Sequence, residues 1–194
     1  ATGETVAFEA LVRWRHPALG TLPPSAFVPL AEQSGLIGIL GRHVIAAACR
    51  EVAALGGSVG VNVNVSPAQL LDDALPAFIR DTLASTGLAP SRLGLELTET
   101  LLLERADEAE ARLHALRALG VRLFLDDFGT GYSSIRYLRR FPFTHLKLDR
   151  SYVSGLGRNA ADEGVVAAAI AIGRAFGLDV VAEGIESAEQ AAAL

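Results

Sequence analysis

Val61-Asn62-Val63-Asn64-Val65 alternates without a break, three valines on one parity and two asparagines on the other. Successive side chains of a strand point to opposite faces, so this run has one face to bury and one polar face. The split recurs along the chain. In Leu93-Gly94-Leu95-Glu96-Leu97 the leucines oppose Glu96, and in Leu146-Lys147-Leu148-Asp149 they oppose Lys147 and Asp149. Val181 and Glu183 share a parity opposite to that of Val180 and Ala182. Each strand therefore has one apolar face suited to covering helices, while the other ends in a polar or ionised group.

Extending outward, strands are expected over 5–14, 58–66, 93–98, 121–127, 144–149 and 179–183. Between them, apolar residues recur every three to four positions, the helical period, over 39–55, 70–83, 107–119 and 160–176. Gly56, Gly87, Gly120 and Gly177 follow these segments, as expected for helix C-termini, and Ser187 caps a last alanine-rich start. The loop over 15–25 holds three prolines but no shift in composition. Strands alternating with helices predict an α/β fold with a parallel sheet. An open doubly wound sheet and a closed barrel both fit that order. No glycine-rich dinucleotide fingerprint follows the first strand, which favours the barrel.

The composition narrows the function. The chain has 194 residues, 51% of them hydrophobic, a net charge of −5 and one cysteine, Cys49. An acidic chain without a basic run is a poor match for a nucleic-acid polymer. A single thiol forms no internal disulfide and suits a reducing compartment. No stretch of about 18 apolar residues offers a membrane span. Of seventeen basic residues only Lys147 is a lysine.

In a parallel barrel the C-terminal strand ends surround one mouth, where active sites form. Glu9, Asn64, Glu96, Asp126, Asp127, Lys147, Asp149 and Glu183 all fall in or at the ends of expected strands, spread over more than 170 positions. An Asp or Glu after a strand often caps the next helix. Capping does not account for Glu9 and Asn64 within strands, nor for an inward lysine. Carboxylates crowded at one mouth repel unless a cation neutralises them. All-oxygen donors suit Mg²⁺ or Mn²⁺ rather than zinc. His16, His43, His114 and His145 show no zinc spacing. Two cations about 3.5–4 Å apart with one lysine suit hydrolysis of a phosphate ester. The glycine-bearing run 127–134 is a candidate lid or phosphate cradle.

Glu9-Ala10-Leu11-Val12-Arg13-Trp14 resembles the signature of the EAL-domain cyclic-di-GMP phosphodiesterases. Further stretches agree in order and approximate spacing: Asn64-Val65-Ser66, Glu96-Leu97-Thr98-Glu99, Asp126-Asp127-Phe128-Gly129-Thr130-Gly131-Tyr132-Ser133-Ser134, Lys147-Leu148-Asp149 and Ala182-Glu183-Gly184-Ile185-Glu186. The match covers nearly the whole chain. It implies a modified TIM (β/α)8-type barrel that hydrolyses cyclic di-GMP to linear pGpG. Glu9, Asn64, Glu96 and Asp126 are then expected to hold one divalent ion, and Asp127 a second, with Asp126 bridging. Glu183 completes the metal site or acts as a base. Lys147 contacts the catalytic water, with Asp149 nearby. Leu11 and Arg13 bind substrate base and phosphate, and Glu186 a guanine. Glu99 steadies the loop over 127–134, which in the family also couples catalysis to a dimer interface.

Six strands are found where a barrel has eight, so the resemblance implies one EAL-type domain over 1–194, without its first and last strands. It further implies a homodimer, additional domains in a larger bacterial signalling protein, and a cytoplasmic setting even where that parent is membrane-anchored; no direct membrane contact is expected of this segment. Two other functions fit less well. A catalytically silent cyclic-di-GMP receptor signalling through a partner has no need of Glu9, Asp126, Asp127 and Lys147 together. A barrel aldolase or isomerase using Lys147 as a Schiff-base former leaves the strand-end carboxylates unexplained.

Overall fold

The computed structural model describes residues 3–98, 105–129 and 135–194. β1 (Ala7–Ala10) leads into a hairpin, β2 (Trp14–His16) and β3 (Gly20–Leu22), then helices α1 (Pro24–Gln33) and α2 (Ile37–Leu55). β4 (Gly60–Asn64) precedes α3 (Pro67–Leu70) and α4 (Leu75–Thr86), and β5 (Leu93–Thr98) precedes α5 (Ala106–Ala118). The remaining units are β6 (Arg122–Phe128) with α6 (Ile135–Arg140), β7 (His145–Leu148) with α7 (Arg150–Ser154) and α8 (Ala160–Phe176), and β8 (Asp179–Ala182) with α9 (Ala188–Ala193).

β1, β4, β5, β6, β7 and β8 form one parallel sheet in that spatial order, each strand beside the next in sequence. A doubly wound sheet reverses its strand order partway; a barrel does not. The sheet is curled into part of a TIM-type barrel, and among the described residues it has six parallel strands. The aliphatic parity packs under the helices: Val61, Val63, Leu93, Leu95, Leu97, Leu123, Leu125, Leu146 and Leu148 are all buried in one core.

Three expectations are corrected. The run 5–14 is not one strand, because the chain leaves the sheet after Ala10 and Trp14–His16 turns aside to pair with β3. The ring of His16 drives that turn: its Nδ1 accepts from the backbone N–H groups of Ala18 and Leu19. The helix over 70–83 is two, split by a turn in which the Asp72 carboxylate accepts from Ala74 N–H. A continuous helix would set the Pro76 ring against the carbonyl four residues earlier, whereas Pro is tolerated in the first turn, where it sits in α4. Third, β6 runs on to Phe128, and its ladder with β7 carries an irregularity between Leu125 and Phe128.

The concave face is filled from its base upward. Asn62, Gly94 and Arg122 lie side by side across three strands, and Phe124 and His145 face the same way. The His145 ring stacks on Phe124 at 4.1 Å between centroids. Gly94 makes room for this layer, because a Cβ there would meet Asn62 Oδ1 at 2.3 Å and Phe124 Cε2 at 2.6 Å. Outside the sheet, the Arg92 guanidinium donates to the carbonyls of Val52, Gly56 and Val59 and so fastens the C-terminus of α2 to the entry of β4. Gly94→Ala is expected to lower stability by about 1–3 kcal/mol through overpacking of the barrel base, read as a lower urea midpoint at unchanged slope.

Candidate active site

Every parallel strand, or the residue just after it, brings at least one polar side chain to the same end of the concave face. Asn64 of β4 and Glu96 of β5 are register partners, and Asn64 Nδ2 donates to Glu9 Oε1 of β1 at 2.9 Å. Glu9 and Asn64 are exposed, whereas Glu96, Asp126 and Lys147 are buried, at 1%, 9% and 4% exposure. The Lys147 ammonium lies 2.8 Å from Glu96 Oε2, 3.2 Å from Asp126 Oδ1 and 2.5 Å from Glu183 Oε1. β5 and β7 are separated by a strand, and neighbouring strands lie about 4.8 Å apart. An ammonium that meets both a β5 carboxylate and one just beyond β8 is therefore possible only because the sheet curls and its side chains converge. Glu183 follows β8 with its N–H donating to Leu148 O, which carries the β7–β8 ladder one residue further.

β6 supplies two carboxylates by breaking its own alternation. Leu125 pairs with Leu146 and Phe128 with Leu148, so two residues of β6, Asp126 and Asp127, stand opposite the single Lys147. Such a bulge re-aims a side chain. Asp127 takes up the extra residue in the left-handed region, at φ 55°, which Asp enters at less cost than most residues. Its N–H donates to Asp126 Oδ1 at 3.0 Å. Phe128 then returns to the helix-facing core. The Tyr152 hydroxyl of α7 donates to the carbonyl of Gly129, just past the bulge. Tyr152 was not legible as a site residue, since an aromatic in a short helix reads as core. The bulge did leave a signal: the apolar positions that join the helix-facing core step by two from 123 to 125, then by three to 128.

Electrostatics follow from this packing. Burial pushes the Glu96 carboxyl up to about 7, against the pull of the Lys147 contact. Burial raises the Asp127 carboxyl as well, reinforced by Asp126, Asp149 and Glu183. For Lys147, burial works against the charged form, but the bonds to Glu183 and Glu96 outweigh it and hold the ammonium charged.

Asp149 is the N-cap of α7, accepting from the backbone N–H and hydroxyl of Ser151, which keeps its carboxyl low. Leu11 joins the site: with Asn64, Glu96, Ser66 and Gln69 it lines a cavity of about 420 Å³ under α1 and α2. Arg13 lies on a neighbouring groove with Trp14, its Nη1 donating to Val12 O. Glu186 is exposed three residues beyond Glu183, and its N–H donates to Gln190 Oε1. Glu99 and residues 130–134 lie outside the described residues.

The donors fit a hard divalent cation in kind, being carboxylate and amide oxygens. One of them, Glu96 Oε1, is buried without a hydrogen-bond partner and so retains acceptor capacity. In arrangement they differ: among the described residues no three acidic or imidazole groups are gathered as a metal site, and the carboxylates close instead on Lys147.

A carboxyl raised on folding is protonated more readily in the native state, so its contribution is complete below the unfolded value of 4.5 and is lost as pH climbs toward about 7. Stability is expected to fall over that window by an amount on the order of 1–3 kcal/mol. Glu96→Gln should flatten this dependence, as read from urea midpoints at pH 4.5 and 7.5.

Comparison with known proteins agrees with this fold. The family model described as EAL domain matches residues 1–194. An uncharacterized signaling protein of Caulobacter vibrioides is 46% identical over 190 residues, covering 98% of this chain and 24% of the relative. The cyclic di-GMP phosphodiesterase NbdA of Pseudomonas aeruginosa is 42% identical over 198 residues, covering 100% of this chain and 25% of the relative. The chain thus spans about a quarter of the length of these curated relatives. The solved PaMucR phosphodiesterase in complex with c-di-GMP superposes with a TM-score of 0.89 at 41% identity, covering 96% of this chain and 77% of that one. A parallel barrel segment with strand-end carboxylates converging on Lys147, matched end to end by the family model, establishes that the chain belongs to the EAL domain family.

Proposed function

We propose that the chain is the core of a divalent-metal-dependent phosphodiesterase that hydrolyses cyclic di-GMP to linear pGpG, within a larger cytoplasmic signalling protein acting as a homodimer. The observation that carries this reading is the convergence of Glu96, Asp126 and Glu183 on one buried ammonium, beside Asp127 and the Glu9–Asn64 pair. A receptor has no need to crowd so many carboxylates at a mouth that takes an anionic ligand.

Glu9, Asn64, Glu96, Asp126 and Asp127 are the residues to hold Mg²⁺ or Mn²⁺, in two ions. Bound there, the metal supplies Lewis acidity that lowers the pKa of water and offsets phosphoryl charge. The protein's own groups do the rest. Asn64 fixes the Glu9 carboxylate through its amide N–H. The Lys147 ammonium gives a fixed positive charge in a water-poor site, where it stabilises charge developing on phosphoryl oxygens and orients the attacking water. Glu183, at the open side of the cluster, accepts the proton that water loses as the new P–O bond forms. The ribose oxygen leaves with the electrons of the broken ester bond and is protonated from solvent. Leu11 and the cavity beside it receive a base, Arg13 pairs with a phosphate, and Glu186 meets a guanine edge.

Product analysis with cyclic di-GMP and Mn²⁺ or Mg²⁺ tests the reading: pGpG is expected, dependent on metal. Glu9→Ala and Lys147→Ala are expected to lower turnover by about a hundredfold or more while retaining measurable nucleotide binding. Tight binding by calorimetry with no product under either metal would favour the receptor role. Asp149 separates capping from chemistry. Asn caps as well as Asp, so Asp149→Asn should keep the urea midpoint, and a fall in turnover beyond about tenfold would show that the charge itself serves the reaction.

A further inference from the structure

Lys147 holds three carboxylates, and the proposed reading assigns two of them, Glu96 and Asp126, to a divalent cation. We propose that the Lys147 ammonium is the built-in competitor of that cation: the metal enters by taking carboxylate contacts from Lys147, and the lysine sets the affinity of the site. The inference rests on the metal-dependent reading above and adds what regulates occupancy.

The geometry supports competition rather than simple cohabitation. One ammonium reaches Glu96 Oε2, Asp126 Oδ1 and Glu183 Oε1 within 2.5–3.2 Å. A Mg²⁺ ion draws its oxygens to about 2.0–2.1 Å in a near-octahedral shell. Carboxylates turned toward Nζ have to turn away from it to complete such a shell. Charge acts in the same sense, because an ammonium and a divalent cation repel at these distances and burial weakens screening. Glu96 is the pivot: Oε2 is spent on Lys147 while the buried Oε1 has no hydrogen-bond partner. That oxygen offers an incoming cation its first contact before the lysine yields. Asp127 extends the path, since it stands with Asp126 opposite Lys147 and feels the charges of Asp126, Asp149, Glu183 and Lys147.

The composition provides an unusual probe. Lys147 is the only lysine in the chain, so ¹³Cε-lysine labelling gives a single side-chain resonance from the wild-type protein. Titration with Mg²⁺ is expected to move that resonance to a new limiting position, with the midpoint found by calorimetry. Lys147→Met is expected to bind Mn²⁺ more tightly, by about tenfold or more, because the competitor is gone. The variant leaves Glu96 buried and unpaired, a loss that can unfold a marginal domain; the wild-type resonance keeps the proposal testable in that case. A resonance that stays in place at saturating Mg²⁺, or weaker Mn²⁺ binding by Lys147→Met, overturns the competition while leaving the metal-dependent reading intact. Absence of metal binding in both proteins overturns both.

Discussion

A buried ammonium shared by three carboxylates is the constraint to which the rest of the molecule answers. Desolvating Lys147, Glu96 and Asp126 is costly, and each of these alone would be intolerable in a core of this kind. Lys147, Glu96, Asp126 and Glu183 are tolerated because they arrive together, from four different βα units. The sheet has to curl for β5, β7 and the residue after β8 to share one centre, and the ladder has to stay in register for the layers to meet. The leucine and valine faces under the helices maintain that register, since a slip of one residue would turn Glu96 and Lys147 into the apolar core.

Stacked on this is a second device at the base of the same face. Phe124, His145, Asn62 and Arg122 fill the space beneath the charged layer, with Gly94 left bare so that they fit. The charged groups thus stand on a packed floor, with Glu9 and Asn64 exposed beside them. This placement explains why carboxyl groups of the same sheet differ: Glu96 is buried above the floor and raised by burial, while the bonds from Ser151 to the N-cap Asp149 keep its carboxyl low.

Much of this was legible in the sequence because the pattern is periodic. Alternation in 61–65, 93–97 and 146–149 locates the strands and assigns their faces, and a parallel sheet then dictates that the polar ends converge. What was not legible is local. The β2–β3 hairpin depends on a histidine ring accepting two backbone N–H groups, and the break between α3 and α4 on where Pro76 falls within a turn. Asp149 shows the complementary limit: its parity matches that of Lys147, yet its carboxylate is engaged by Ser151. Parity specifies a face; whether a side chain there is free for chemistry is decided by the backbone that follows.

The bulge in β6 has a consequence beyond geometry. Asp126 and Asp127 are chemically identical neighbours, and in an unbroken strand one would face the barrel and the other the helices. By absorbing one residue in a left-handed backbone, the chain places both opposite Lys147 while making them inequivalent. Asp126 is an internal counter-charge, tied to the ammonium; the Asp127 carboxyl is raised by burial and by its acidic neighbours. A single backbone irregularity therefore gathers both copies of a repeated letter opposite one lysine and still gives them different surroundings.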